Sequence, residues 1–186
     1  MTLLEMKKKI LRLIEEIDDT GEGLTRDPDI KAKLNDVINQ VQFELCRMKK
    51  ILATDTQEVT GGEVFDMNML PDFYQLRKID FKNEDGEDAD YEVIEHMVVF
   101  PENGTATFFY YKFPERITDE TADTYEFELP EDCLEILPYG AAADLLKSDV
   151  STNYGQIYEK RYETMLQRLD PRYGTETIFI EGGLDI

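Results

Sequence analysis

The sequence predicts an α+β fold, in which a bundle of about four helices carries a small antiparallel β subdomain inserted between helices two and three, plus an extended C-terminal arm. Two observations predict the body of this fold. Apolar residues recur at helical spacing near the N-terminus and again after Pro130, whereas the stretch from Gly61 to Pro130 alternates between apolar and polar residues. A third observation predicts the arm, because a Pro and Gly break at residues 170–174 precedes the last residues.

These patterns divide the chain into four units. The 186 residues are enough for one domain or two small ones, and 10 Phe and 10 Tyr supply large apolar surfaces for a core. We expect an N-terminal helical hairpin at 1–57, an acidic β subdomain at 58–130, a C-terminal helical pair at 131–169 that packs with 1–57, and an arm at 170–186.

The first two helices have clear start signals. Thr2 and Glu5 have the spacing of a capping box, and Asp27 followed by Pro28 is typical of an N-cap and the first helical position. The apolar stripe of helix one ends near Gly21, and that of helix two continues to Ile51 or Leu52. The stripes comprise Leu3, Met6, Ile10, Leu13, Ile14 and Ile17, then Ile30, Leu34, Val37, Ile38, Val41, Leu45 and Met48.

The middle of the chain predicts four or five antiparallel strands in one small sheet. Polar segments separate the strands: an acidic turn at 83–90, a tight turn with Asn-Gly at 101–104 and a polar loop at 114–123. The predicted strands are 73–81, 91–100, 105–113 and 124–130.

Helical spacing returns after Pro130. Glu131 or Asp132 can cap helix three, and Pro138 either kinks it or marks its first turn. Gly140 and the alanines at 141–143 allow another backbone to approach closely. The last helix carries Tyr154, Tyr158 and Tyr162 on one broad face, which we interpret as bundle core or, since tyrosine is enriched at interfaces, as a subunit contact.

The charge distribution is uneven. The chain has a net charge of −21, and residues 63–135 hold 21 acidic against 5 basic residues, a local charge of −16. Such a surface repels phosphate, which argues against sequence-reading or groove-binding contact with nucleic acid. Two interpretations remain open: the charge keeps the protein soluble, or it forms a surface past which DNA slides without sticking.

The N-terminal pattern, the lengths of the apolar runs and the cysteines indicate where the protein is located. The N-terminal stretch 1–19 is interrupted by charges every few residues and lacks the pattern of a signal peptide, and no stretch approaches the roughly 18 apolar residues of a membrane span. Cys46 and Cys133 are far apart, which suggests buried thiols in a reducing compartment. We therefore expect a soluble protein made in a cytoplasm, with no membrane partner.

The sequence offers no catalytic, metal or cofactor site. His96, the single histidine, lies in a predicted strand without a nucleophile motif, and nucleotide-binding and zinc-protease motifs are absent. The acidic turn around Gly86 misses the EF-hand pattern because Phe81 occupies the first ligand position. Paired carboxylates are so abundant that their proximity does not indicate acid–base catalysis.

The C-terminal tail is the candidate partner-binding segment. Ile178, Phe179 and Ile180 form an apolar run beyond the predicted core, and Tyr173 and Leu184 add apolar contacts on either side. This run is either a last edge strand on its own subunit or an arm that adds a strand to, or fills a groove on, a neighbouring protein.

Residues 127–169 resemble the C-terminal half of tailed-phage head-to-tail adaptor proteins, the connector or neck proteins that complete the head. The likeness lies in a β segment ending in "LP" (129–130), the small-residue stretch "YGAAA" (139–143) and a Tyr-bearing helix ending in "YETMLQRL" (162–169). The upstream order of a helical pair followed by strands also fits, although the β insertion is larger than in the shortest adaptors.

The resemblance implies a non-enzymatic structural protein of the virion neck. It implies a ring, expected to be a dodecamer, that binds the portal protein, extends the DNA channel and receives the tail or stopper protein, with DNA only passing through. The arm at 170–186 would then dock onto the portal. No cofactor is implied.

Two other functions compete with the adaptor hypothesis. An acidic protein of this size could mimic DNA and bind a basic partner, such as a nucleic-acid enzyme, without forming a ring. A hydrolase using acid pairs, with or without a metal, is the enzyme alternative. Spaced carboxylates on a compact dimer would favour the mimic, and a bound divalent ion with several acid ligands would favour the enzyme.

Overall fold

The α+β fold is confirmed by a computed structural model, which describes residues 1–18, 24–147 and 153–169. Four helices and six strands occur in these ranges, and the strands form two small antiparallel sheets. A 3₁₀ turn, Met67–Met69, follows β2. The elements are α1 (Leu3–Leu13), α2 (Pro28–Met48), β1 (Ile51–Val59), β2 (Val64–Asp66), β3 (Phe73–Asn83), β4 (Glu92–Ile94), β5 (Met97–Val99), β6 (Gly104–Lys112), α3 (Glu131–Leu145) and α4 (Tyr154–Arg168).

Both predicted caps at the N-terminal helices are confirmed. The Thr2 hydroxyl accepts a hydrogen bond from the backbone N–H of Glu5 at 3.3 Å, and the Glu5 carboxylate accepts one from the Thr2 N–H at 2.9 Å. At α2 the Asp27 carboxylate accepts from the N–H groups of Asp29 and Ile30, with Pro28 at the first helical position. These bonds satisfy N–H groups that have no partner inside the helix.

The helices assemble around α3, which packs against α1, α2 and α4. The expected N-terminal helical hairpin stays a prediction, while α1 and α2 each pack on α3. Small residues on α3 make this possible, because Ala141 and Ala142 are fully buried and add little width to the helix. The other fully buried residues of this core are Leu3, Met6, Ile10, Leu11, Ile38, Leu45, Cys46, Cys133 and Leu137.

The predicted end of the second helix is wrong. α2 ends at Met48, and Ile51 is the first residue of β1, whose side chains alternate in burial over nine residues. Ile51 and Leu52 happen to fall at helical spacing after Met48, but they begin a pattern of period two. The expected boundary between residues 57 and 58 therefore falls inside a strand. The division into four units stays a prediction.

The strands form two three-stranded antiparallel sheets instead of the single sheet predicted. The first has the order β1-β6-β3 and the second the order β2-β5-β4. They pack face to face through aromatic rings: Phe65 of the second sheet stacks on Phe108 of the first, with ring centroids 4.7 Å apart. Val98, Phe100 and Phe108 are fully buried in this second core.

Two predicted strands have a different structure. Residues 91–100 contain the two short strands β4 and β5, separated by a turn in which Glu95 has a positive φ of 57°. Residues 124–130 form no strand and make only an isolated bridge between Glu126 and Thr2. Tyr125, Phe127 and Leu129 alternate because their side chains pack on the helical core, not because the segment is paired in a sheet.

The two predicted connections around β6 also differ from expectation. Residues 101–104 do not close a hairpin, because β5 and β6 belong to different sheets and the chain crosses between them here. The polar loop 114–123 contains neither helix nor strand, as predicted. One of its residues, Ile117, is buried and anchors the loop to the helical core. The buried Asn39 amide donates to the Ile117 carbonyl at 2.7 Å and accepts from the Ile117 N–H at 2.8 Å.

Candidate interaction surfaces

The contact between α3 and α4 depends on Gly140. A Cβ at this position would lie 2.8 Å from a ring carbon of Tyr162 and 3.0 Å from a methyl carbon of Val41, well inside the usual carbon–carbon distance of about 3.5–4.0 Å. The Tyr162 ring therefore occupies the space that a side chain on α3 would need. The sequence predicted that another backbone would approach Gly140, whereas in the structure a side chain, the Tyr162 ring, occupies this space.

Two of the tyrosines on α4 are engaged within the subunit. The Tyr162 hydroxyl donates to the Glu44 carboxylate at 2.9 Å, and the Tyr158 hydroxyl donates to the Leu13 carbonyl at 2.6 Å. Burial, and then the hydrogen bond to Glu44, raise the pKa of Tyr162 well above its ordinary value. Burial also raises the pKa of Tyr158. Both hydroxyls remain protonated and tie α4 to α1 and α2.

Two large apolar side chains in the first turn of α4 are exposed. The side chains of Tyr154 and Ile157 are 55% and 56% exposed, respectively. The role of Tyr154, Tyr158 and Tyr162 as subunit contacts stays a prediction, but Tyr154 is the one of the three that a partner could reach without moving α4.

A groove of about 500 Å³ lies beside the same contact, between α2, α3 and α4. Its lining includes Val41, Gly140 and four carboxylates. One of them, Asp144, accepts a hydrogen bond from the Gln40 amide at 3.0 Å. The carboxylates are those of Glu44, Asp144, Glu159 and Glu163. The groove repels anions, and no described residue brings a basic group into its lining other than Lys147.

The outward faces of the two sheets are surfaces that sequence reasoning missed. On the first sheet the outward side chains include Leu52, Phe109, Tyr111, Lys78 and Lys82, and we call this surface the first outer face. On the second sheet they are Val64, Asp66, Glu92, Ile94, Met97 and Val99, and we call this surface the second outer face. The alternation of residues along β1 and β6 could have indicated the first outer face, but the sequence analysis places Ile51 and Leu52, the first residues of β1, in helix two.

His96 lies in the tight turn between β4 and β5, not within a strand as predicted. Its backbone carbonyl accepts a hydrogen bond from the Met67 N–H at 2.8 Å. The acidic turn is closed by Asn83, whose side-chain oxygen accepts from the N–H groups of Asp85 and Glu87. Within the described ranges no three His, Cys, Asp or Glu side chains are grouped so that they could hold a metal ion.

Both cysteine thiols are free and buried. Burial raises the pKa of the Cys46 thiol, and burial together with the Asp132 carboxylate raises the pKa of Cys133 to about 12. The protonated thiol is a poor nucleophile and a poor metal ligand. The sequence-based expectation of buried thiols is confirmed.

The predicted arm residues lie outside the part of the chain that the structure describes. These are Tyr173, Ile178, Phe179, Ile180 and Leu184. Their role in partner binding stays a prediction.

Comparison with known proteins gives the family. A search of the curated proteins returned no match. Within residues 1–18, 24–147 and 153–169, none of the helices is both long enough and apolar enough to cross a membrane. A family model described as "SU10 adaptor protein" matches residues 1–178, a range that contains all four helices and both sheets. The chain therefore belongs to the SU10 adaptor protein family, a family of phage head–tail adaptors with a structural role in the virion.

Proposed function

We propose that this protein forms a ring in the virion neck that binds the portal protein, extends the DNA channel toward the tail and receives the tail or stopper protein. The observation that carries the proposal is the family match over residues 1–178, which covers every described helix and strand. A ring of twelve subunits is expected from the likeness to head-to-tail adaptors. The protein acts by shape and surface, without a catalytic step.

The charge of the chain supports a role beside moving DNA. A net charge of −21 means that a channel lined by this protein offers DNA few cationic groups. Affinity for DNA comes largely from the release of counterions by Lys and Arg at the phosphates, so an acidic lining gives the duplex little to bind. DNA can then pass through the ring without being held.

The same charge opposes assembly of free subunits. Identical copies of charge −21 repel one another at low salt, and this repulsion must be outweighed by apolar contacts. We propose that the portal supplies them by accepting the arm at residues 170–186, with Ile178, Phe179 and Ile180 as anchors. Once one arm is bound, neighbouring subunits are held at high effective concentration, and the ring can close.

The experiment is to mix the purified protein with the portal ring encoded by the same genome and to measure particle mass by mass photometry, with negative-stain imaging of the complexes. We expect about one added copy per portal subunit. Deletion of residues 170–186 should abolish this gain. A control variant with Ala in place of the polar Thr175 and Glu176 keeps the apolar anchors and should bind like the wild type.

The outcomes separate the parts of the proposal. Full binding by the deletion variant would refute the arm while leaving the ring in place. No binding to an intact portal ring would refute the portal role, and a basic protein partner, as expected of a DNA mimic, would be the next hypothesis to test.

A further inference from the structure

A strip of exposed side chains runs along one side of α4. Residues that are three or four positions apart lie on the same side of a helix. This spacing joins five exposed residues, which we call the α4 strip: Tyr154, Ile157, Arg161, Thr164 and Arg168. Tyr154 and Ile157 are 55% and 56% exposed, so the strip begins with a large apolar surface. Tyrosine and arginine are the residue types that contribute most to protein contacts.

The α4 strip is cationic in a chain that is strongly acidic. It contains two arginines and no acidic residue, whereas the whole chain has 41 acidic residues against 20 basic ones. The guanidinium carbon of Arg161 lies 4.3 Å from the centre of the Tyr139 ring. A contact with an aromatic ring leaves the charge of the guanidinium available to a carboxylate. The acidic residues Glu159 and Glu163 of the same helix line the groove on its other side.

Carboxylates lie near the two ends of the α4 strip. Beside Arg168, a hollow contains Glu135 and the ion pair of Asp132 with Lys49, whose charged atoms are 3.4 Å apart. At the other end, Glu15 lies close to the first half of α4. These groups partly offset the charge at the ends of the strip. A carboxylate of a partner is therefore attracted most strongly to the middle turn of the strip.

The second outer face is apolar at its centre and acidic around it. Val64, Ile94 and Met97 are 58%, 54% and 41% exposed, respectively. The pairing of the strands places the carboxylates of Asp66 and Glu92 on the same side of the sheet. Exposed apolar groups that are contiguous and rimmed by charge are typical of a protein contact surface.

The chain segments that build the second sheet bring no strong cation to it. Residues 60–72 and 89–104 contain its three strands and the turns around them, and they hold seven acidic residues and no lysine or arginine. A partner for this face must therefore offer apolar side chains together with a cationic group. The α4 strip offers both, through Tyr154, Ile157 and Arg161.

The α4 strip and the second outer face belong to different cores of the subunit. α4 packs in the helical core through Tyr162 and Leu169, and β5 packs in the core between the sheets through Val98. One subunit can therefore offer both surfaces at the same time. Contact between two copies of the same surface would bring arginine near arginine or carboxylate near carboxylate, whereas contact between unlike surfaces pairs opposite charges.

We propose that the α4 strip of one copy of this chain packs on the second outer face of the next copy. Such a contact is head-to-tail, and repeating it around an axis closes a ring. The inference rests on the proposed ring, and it specifies the surfaces that join its subunits. Across the contact Arg161 opposes the Asp66 and Glu92 carboxylates. Tyr154 and Ile157 pack on the exposed aliphatic side chains.

The contact can be tested by cross-linking in the full-length protein bound to its portal ring. Ile157→Cys places a thiol on the α4 strip, and Ile94→Cys places one on the second outer face. Both positions are exposed, so neither change disturbs a core. With a short flexible bismaleimide, the double variant should give a ladder of covalent oligomers, whereas each single variant should give none.

Two controls accompany the ladder. Gln167→Cys combined with Ile94→Cys should give no ladder, because Gln167 is exposed on α4 but lies about 100° or more around the helix from Arg161. The wild type should also remain unreacted, since both native thiols are buried.

Several results would overturn the contact. A ring that assembles on the portal but gives no ladder would refute it while leaving the proposed function intact. Dimers formed by one single variant would indicate contact between identical surfaces, and a cross-link to the portal protein would assign that surface to the portal. Failure of the wild type to assemble on the portal would remove both the ring and this contact.

A charge swap gives a second test that adds no thiol. At a protein concentration that half-fills the portal with wild type, Arg161→Glu should reduce the number of copies bound per portal. Adding Glu92→Lys to the same chain should restore binding, because every interface then carries the reversed pair. Lys33→Glu makes the same change of charge at an exposed position on α2 and should leave binding unchanged. Equal loss in the Arg161 and Lys33 variants, or no rescue in the double variant, would contradict the proposed pairing.

Discussion

Replacing Gly140 with alanine tests whether the helical core is set by the close contact of α3 with α4. The added methyl carbon would lie 2.8 Å and 3.1 Å from two ring carbons of Tyr162 and 3.0 Å from a methyl carbon of Val41. The ring has little freedom to move, because Tyr162 is buried and its hydroxyl is bonded to Glu44. Overpacking of this kind costs about 1–3 kcal/mol.

An opposing effect reduces the loss. Alanine is favoured over glycine inside a helix by about 1 kcal/mol. We therefore expect Gly140→Ala to lower the free energy of unfolding by about 1 kcal/mol, which corresponds to a fall in Tm of about 2–4 °C for a chain of this size. Urea denaturation followed by circular dichroism would measure the difference.

Two further variants isolate the clash. Ala143→Gly, on the same helix, measures the local difference in helix propensity without involving the Tyr162 ring. In a Tyr162→Leu background, Gly140→Ala should no longer destabilise, since the ring that it meets is gone. If Gly140→Ala instead stabilises the wild type by as much as Ala143→Gly destabilises it, the contact between α3 and α4 does not require glycine and our explanation is wrong.

Three other predictions concern buried polar groups. Asn39→Ala leaves the N–H and carbonyl of Ile117 without partners inside the protein and should lower the free energy of unfolding, measured by urea denaturation, by about 2–4 kcal/mol. Asn35→Ala is the control, because Asn35 donates to a carboxylate in an exposed bond, and it should lower the free energy of unfolding by less than about 1 kcal/mol. Equal losses in the two variants would contradict the role of Asn39. Folding raises the pKa of Tyr162 above its ordinary value of 10.0. Below pH 10.0 the titration of Tyr162 therefore does not change the free energy of unfolding. Above pH 10.0 the free energy of unfolding should fall by up to about 1.4 kcal/mol per pH unit, because the unfolded chain loses this proton first. Tyr162→Phe should make that alkaline loss less steep, and an unchanged slope would show that the hydroxyl titrates normally. Both thiols should resist a thiol reagent at pH 8 in the folded protein and react in denaturant, so rapid labelling of the native protein would contradict their burial.

The starts of α1 and α2 could be predicted because capping is local. The prediction that Glu131 or Asp132 caps α3 is wrong, because the N-cap there is Pro130 and no side chain caps the helix. Thr2 with Glu5, and Asp27 with Pro28, each act within one helical turn, so four residues of sequence contain the whole signal. Gly140 was also found from sequence, since a glycine among alanines on an apolar helix indicates close packing. The partner at that contact, Tyr162, could be named only with the helices in place.

The sheets were harder to predict. Alternation of apolar and polar residues indicates that one side of an extended segment is buried, but it does not tell whether a sheet partner or a helix covers that side. Tyr125, Phe127 and Leu129 alternate like a strand, yet they pack on helices. Ile51 and Leu52 extended a helical stripe, yet they begin β1. Assigning six strands to two sheets depends on contacts between residues far apart in the chain, and no local pattern encodes them.

The exposed apolar surface of the second sheet shows the same limit. The apolar residues Val64, Ile94 and Met97 belong to three different strands, and they form one exposed surface only after β2 and β4 pair with β5. Sequence analysis pointed instead to the C-terminal arm, where Ile178, Phe179 and Ile180 are consecutive. A run of adjacent apolar residues is visible in a sequence, whereas a patch assembled from several strands is not.

The N-terminal residues make hydrogen bonds that set the order in which this protein can fold during its synthesis. The Leu3 N–H donates to the Tyr125 carbonyl at 2.8 Å, and the Leu4 N–H donates to the Asp123 carbonyl at 3.1 Å. The apolar stripe of α1 is therefore covered only after the ribosome has made the whole β region and α3. Contacts between such distant residues slow folding and leave apolar surface open to aggregation or chaperone binding in the meantime. The two sheets join residues closer in the chain and can form earlier, so the half-made protein would carry a finished β sandwich and an unfinished helical core.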